Sequence, residues 1–379
     1  MSGRVVRVTQ PDGLLVWMVR GYDSVRALLN DPSLSSDTRA AGSKGLLSDL
    51  PPDLREVLAL DLFSNDPPTH TELRRLLTPA FTAHQARELR PMMREVAHEL
   101  LDACEGRPVV DLVADYADRL PTAVLCTLIG IPREDGPMIR HWADTFVSQP
   151  VEPGGVRPQM ITALITYARA LVKRRRAGQD SGDLLSRLLR SGLDDDHIVA
   201  LVLDLVIAGQ TAPAQLIAKS MRLLLASPAQ LALVRADPSL LPGAIDECLR
   251  LDPPLKISIF RRATRPLMVE GVHIQAGEIV SFSFQDANRD DTCFADPERF
   301  DVRRTDNQHL GFGYGIHRCV GANLGKVATE TAIEVLLERF PVIELVGSPE
   351  DLPWKETAIM HKLVALPLRL ARRPVTATR

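Results

Sequence analysis

One of the five cysteines, Cys319, stands in the run Phe312-Gly313-Tyr314-Gly315-Ile316-His317-Arg318-Cys319-Val320-Gly321. Gly313, Gly315 and Gly321 permit backbone angles and close approaches that a β-carbon forbids. The segment reads as a tight loop that presents a sulfur. Beyond it, Leu324, Val327, Ala328, Thr331, Val335 and Leu336 recur at helical spacing. That spacing places the sulfur beside a helix N-terminus, where unpaired N–H groups and the helix dipole favour thiolate over thiol. Cys104, Cys126, Cys248 and Cys293 stand in no comparable glycine-rich run, and read as small buried hydrophobes.

The neighbours of the sulfur bound what it can do. A zinc site needs further ligands at close spacing, and His317-x-Cys319 has no CxxC partner. A catalytic nucleophile needs a flanking base, yet His317 sits only two residues away in a glycine turn. A lone thiolate on a glycine-rich loop is what axial ligation of haem iron requires.

On these residues the chain resembles the cytochromes P450, whose cysteine loop reads F-G-x-G-x-H-x-C-x-G. Every fixed position from Phe312 to Gly321 matches. Glu247-Cys248-Leu249-Arg250 is similar to the family's E-x-x-R, and Pro297-Glu298-Arg299-Phe300 to its P-x-R-F. Asp66-Pro67-Pro68-Thr69-His70 through Arg74 is similar to the D-P-P-x-H-x-x-x-R start of a long helix. The resemblance implies a mainly α protein with a small β part. It places haem b (iron protoporphyrin IX) between a long central helix and the cysteine-loop helix, with residues 1–379 as one catalytic domain.

It also implies roles for particular residues. Cys319 becomes the metal ligand, and Phe312, Gly313 and Gly321 line the cofactor. His70 and Arg74, four apart and so on one helix face, join Arg261 and His317 as donors to the two propionates, which want cationic partners. Whether Arg261 or Arg262 serves is left open. Glu247 and Arg250 are expected to be buried with Arg299, locking the cysteine loop, because a buried charge without its partner costs ~3–5 kcal/mol.

The chain departs from the family in the central helix. Members usually carry A-G-x-(D/E)-T there, the acid and the alcohol relaying protons. The stretch Ala208-Gly209-Gln210-Thr211-Ala212-Pro213 puts Thr211 in the place of the acid and Ala212 in that of the alcohol. Pro213 has no N–H, so the Gly209 carbonyl loses its helical partner and a kink is expected. The freed carbonyl must be met by water or substrate; either a group held near Gly209 replaces the missing hydroxyl, or the helix has drifted and bulk water enters through the kink. Ala208, Gly209, Gln210, Thr211 and Ala212 are therefore the candidate catalytic stretch.

The rest of the chain is helical up to about residue 250, after an initial hairpin (5–8 and 14–19) and a short helix over 22–30. Breaks fall at Gly130-Ile131-Pro132 and at the proline- and glycine-rich stretch from Pro150 to Pro158, which reads as a mobile loop. Short strands are expected over 257–283 and again near 363–368. A net charge of −3 offers no basis for nucleic-acid or anionic-membrane binding. Dispersed, odd-numbered cysteines suit a reducing cytosol. The greasiest stretch, Ile198 to Ala208, contains Asp204 and is shorter than the ~20 residues of a membrane span. A cytoplasmic location is expected, and a monomer is taken as the working expectation although no residue here fixes the oligomeric state.

The expected reaction is monooxygenation of a small hydrophobic secondary metabolite. Electrons should come from a ferredoxin and its reductase, docking near Arg318 and Lys326. The candidate pocket residues (60–66, Ala208, Ala212, 257–260 and Met360) are largely apolar. Oxidative coupling of an aromatic or cyclic-dipeptide substrate is the alternative within the family, and a non-catalytic haem sensor the alternative of another class.

Overall fold

The computed structural model describes residues 3–10, 13–37, 52–148, 158–178, 180–357 and 359–372. The expected hairpin is present, Val5–Thr9 pairing antiparallel with Leu15–Val19, and the short helix spans Tyr22–Leu28. A helix over Arg119–Ile129 stops where Gly130 adopts φ +90°, a left-handed conformation that glycine enters without steric cost. All of the Pro150–Pro158 break except Pro158, which opens the helix Pro158–Ala177, lies outside the described residues.

Strands dominate where the alternation changed. Val5–Thr9, Leu15–Val19, Ile279–Phe282, Arg261–Ala263 and Leu34–Ser35 form one sheet in that spatial order. Leu15–Val19 and Ile279–Phe282 are its parallel pair, with Val16 opposite Ile279. Arg261 pairs with Val280, which fixes an otherwise flexible arginine on an inner strand. This sheet packs a smaller apolar core of its own, apart from the main helical core.

The main core is threaded by the central helix, which is two helices rather than one kinked rod: Asp195–Ala208 and Thr211–Ala226. Asp194 caps the first by accepting from His197 N at 2.9 Å. Pro213 falls in the first turn of the second, where a missing N–H breaks no ladder bond. The expected mid-helix penalty is therefore avoided by ending one helix and starting another. By length and composition Asp195–Ala226 could cross a bilayer, so the expected shortfall does not hold. However, 67% of its most apolar window is buried inside the protein, as in a core helix.

The helix Leu241–Leu251 carries the E-x-x-R pair. Arg250 Nε and Nη2 donate to Glu247 Oε2 and Oε1, both at 2.8 Å, and both side chains are fully buried. Arg250 also donates to the carbonyls of Asn288 and Pro297. The expected third member is corrected. Arg299 contributes only its carbonyl, at 3.1 Å from Arg250 Nη2, while its own side chain is 62% exposed beside Asp301. The side chain that completes the cluster is Arg304, whose Nε lies 3.1 Å from both Glu247 oxygens. Asn307 adds a further donor at 3.1 Å. Asn288 carries the cluster to the cysteine loop, its Oδ1 accepting from Leu310 N at 2.7 Å.

Candidate functional site

The loop around Cys319 is built by backbone bonds. Cys319 N donates to the Phe312 carbonyl at 2.8 Å, and Gly313 N to that of Leu310 at 2.8 Å. Gly313 and Gly315 have φ of +69° and +74°. At Gly315 an added β-carbon would also meet Asn30 Oδ1 at 2.8 Å. Gly321 differs from expectation, since its φ is an ordinary −84° and an added β-carbon would only touch Cys319 Sγ at 3.9 Å. The helix Ala322–Arg339 starts immediately after it.

Cys319 is accessible, although protein atoms surround it on nearly every side. That combination belongs to a residue lining an internal recess. Burial pushes its thiol pKa up, outweighing the Gly321 N–H and the positive charges of Arg74 and Arg318. The expectation that the loop by itself favours thiolate is thus reversed in sign. A metal cation bound by Cys319 would favour the thiolate, since coordination deprotonates a thiol.

Around this recess the structure gathers the four donors proposed from sequence. His70, on the helix Thr69–Leu77, has its ring centroid 4.2 Å from that of His317. Both imidazoles are held neutral. Burial first, then the charge of Arg74, lowers the pKa of His70; burial, then Arg261 and His70, lowers that of His317 to about 3. The charge of Arg261 is felt at both rings, which separates it from its neighbour Arg262. Burial also pulls down the pKa of Arg74 and Arg261. Arg74 has no ion-pair partner among the described residues, and Arg261 donates only to the Leu29 carbonyl at 3.2 Å.

Both ring nitrogens of His70 are buried without a hydrogen-bond partner. Asp66 is the acid that both imidazoles feel, and it already accepts from Ser35 and Ser36. Buried donors and cations left unmatched in this way are costly unless an anion meets them. A thiol at the base of the recess and unmatched donors at its rim fit haem, a metal centre carrying two carboxylates.

In the central stretch Ala208 is exposed and Gly209 and Ala212 are half-buried, whereas Gln210 and Thr211 are buried. The Thr211 hydroxyl has no partner. Burial sets Gln210 and Thr211 apart from the other three residues of the candidate stretch. The Gly209 carbonyl accepts no hydrogen bond among the described residues, in line with expectation. Of the two cations expected to guide a ferredoxin, Lys326 is bound to Asp246 at 2.7 Å, while Arg318 has no ion-pair partner among the described residues.

The pocket stretch holds a feature that apolar counting missed. Asp204 Oδ2 accepts from Leu62 N at 2.7 Å, pinning the loop near Asp61 to the central helix. Burial drives the Asp61 pKa up to about 6, and burial plus the charge of Asp61 drives that of Asp204 well above the usual carboxylate range. A folded-state pKa raised above ~3.9 means the native protein holds the extra proton between roughly pH 4 and 6. Stability is therefore lost as pH rises through that window. Asp61→Asn should be about 2 kcal/mol more stable than the parent above about pH 7 and no more stable near pH 4. Denaturant midpoints across pH measure this.

Comparisons with known proteins identify the family. Residues 233–366 match the sequence model of the family Cytochrome P450. The chain is 37% identical over 379 residues to the Cytochrome P450 monooxygenase PikC of Streptomyces venezuelae, covering 98% of this chain and 89% of that one. It is 38% identical over 373 residues to the Mycinamicin IV hydroxylase/epoxidase of Micromonospora griseorubida, covering 96% and 92%. Among solved structures, the myxobacterial cytochrome P450 CYP267B1 in complex with myristic acid superposes with a TM-score of 0.88 at 34% identity, covering 98% and 94%. With such identities along nearly the full length of both partners, and with the cysteine loop and its ring of donors in place, this chain belongs to the cytochrome P450 family.

Proposed function

We propose that the chain is a haem-thiolate monooxygenase acting on a small hydrophobic intermediate of secondary metabolism, as a single catalytic domain. Haem b is the group that Cys319 holds, and a separate ferredoxin with its reductase supplies the electrons. The observation that carries this reading is the recess in which an accessible but deeply set Cys319 shares its surroundings with His70, Arg74, Arg261 and His317. The hydroxylase/epoxidase relative supports oxygen insertion.

When bound, the haem supplies dioxygen activation, helped by electron donation from the thiolate sulfur. The protein contributes the rest. Arg74 and Arg261 would neutralise the carboxylates, and the neutral imidazoles of His70 and His317 would donate hydrogen bonds to them, so orienting the group. Ala208, Gly209 and Ala212 offer a surface without hydroxyls, on which the Gly209 carbonyl is the available acceptor. A water or a substrate hydroxyl donating to that carbonyl holds the proton that the family's alcohol would otherwise supply.

Ala212→Thr tests this. The new side chain displaces whatever is held at Gly209, so product formed per reductant should change by at least about twofold, downward, because proton delivery is a matter of position. Unchanged coupling would sink the substitute-donor idea. For the reaction class, purified protein is incubated with redox partners and a natural-product extract, and the products are weighed. Gain of one oxygen atom supports insertion, whereas loss of two hydrogens or dimer formation assigns the chain to oxidative coupling.

A further inference from the structure

The interruption between Ala208 and Thr211 is held from behind by the helix Arg119–Ile129 and the residue before it. Gln210 is 1% exposed; its Oε1 accepts from Thr122 Oγ1 at 2.7 Å and its Nε2 donates to the Asp118 carbonyl at 2.7 Å. Thr122 Oγ1 also lies 2.8 Å from that carbonyl, so the three groups close on one another across some ninety residues of chain. The backbone itself comes close at the same point. A β-carbon on Gly209 would stand 2.9 Å from Leu125 Cδ1. One turn further on, Pro213 cannot donate to the Gly209 carbonyl, so a continuous ladder cannot compete with this arrangement.

We propose that Gln210 is a positioning residue of the monooxygenation. Its clasp on Thr122 and Asp118 sets the rotation of residues 208–213, so that Ala208 and Ala212 present accessible surface and the Thr211 hydroxyl is buried. The proposal rests on the haem-thiolate reading, because the side so presented is the one that meets the bound diatomic. It explains why a threonine lies in the stretch and yet offers no alcohol: the buried amide of Gln210, with both of its polar atoms satisfied, decides the rotation, and the unmatched Thr211 hydroxyl follows. The clasp closes within the protein alone. The gap in the helix is therefore built in and does not wait for substrate.

Gln210→Ala and Thr122→Val cut the same clasp from opposite ends. In substrate-free holoenzyme, amide hydrogen exchange over residues 209–214 should quicken about tenfold in either variant, while Ile198–Val206 keep their rates. The double variant should add nothing to either single one, as expected of one shared interaction. The readout that a purely structural role would not move uses carbon monoxide on the reduced holoenzyme. Its infrared stretching band should shift in both variants, because the groups around the diatomic have turned. Unchanged exchange in both single variants, or additive losses in the double, overturns the clasp. Faster exchange with an unmoved band overturns the positioning role. Where Gln210→Ala fails to fold, Thr122→Val carries both measurements. A parent protein that never shows the Soret shift of a thiolate-bound carbon monoxide complex overturns the haem-thiolate reading instead, and leaves the exchange result standing.

Discussion

Cys319→Ala should leave a folded protein without function. The loop is shaped by the Cys319 N to Phe312 carbonyl bond, the Gly313 N to Leu310 carbonyl bond and two positive-φ glycines, none of which needs the sulfur. Stability should therefore stay within about 1 kcal/mol of the parent, as for most substitutions that break no buried partner. Turnover should fall by more than about a thousandfold, since thiolate donation is what favours O–O cleavage. The reduced, carbon monoxide-treated variant should lose the long-wavelength Soret band of a sulfur-ligated iron. Retention of that band would transfer the metal to another residue and remove the basis of the assignment.

Glu247→Gln should be the most destabilising change in the chain. It removes the one anion that Arg250 and Arg304 share and leaves two cationic side chains in a buried cluster. Breaking a buried pair in this way costs about 3–5 kcal/mol. Arg304→Met removes donors but leaves the Glu247–Arg250 pair neutral and intact, so about 1–2 kcal/mol is expected, the scale of charge-assisted bonds lost. Arg299→Met should lie within about 0.5 kcal/mol of the parent, because the side chain is mostly exposed. Denaturant midpoints of the holoprotein give the ranking, and the rate of haem release should follow it through the Asn288 link to Leu310. Equal effects for Arg299 and Arg304 would contradict the cluster described above.

That ranking shows how far a motif reaches. P-x-R-F is legible in one dimension, but the motif names a segment, and which arginine of the segment turns inward is a matter of loop shape. Arg299 and Arg304 are five residues apart in the same irregular stretch, where no helical or strand period assigns a side to either. The central stretch behaves similarly. The order of residues names Thr211 and Ala212, and Pro213 forbids a continuous ladder. Neither fact says that Gln210 finds Thr122 and the Asp118 carbonyl, partners some ninety residues away.

The acidic side chains of the pocket were missed for a related reason. Asp61 and Asp204 are 143 positions apart, and each alone reads as an ordinary solvated carboxylate or a blemish in an apolar run. Only the fold brings the Asp61 loop onto Asp204 through Leu62 N, in surroundings dry enough to raise both carboxyl pKa values.

What the linear order of residues determined by itself is local chemistry: the cysteine in a glycine-rich loop, the E-x-x-R spacing that lets two side chains meet on one helix face, and the proline that interrupts the central helix. These depend on neighbours within about one helical turn, where covalent geometry leaves few choices. Tertiary structure decided the desolvation of the Cys319 thiol, the closeness of Arg261 to both imidazoles, the third member of the Glu247 cluster and the burial of Gln210 and Thr211. Each turns on burial and on partners distant in sequence, and desolvation is a property of the assembled interior that no short stretch of chain possesses.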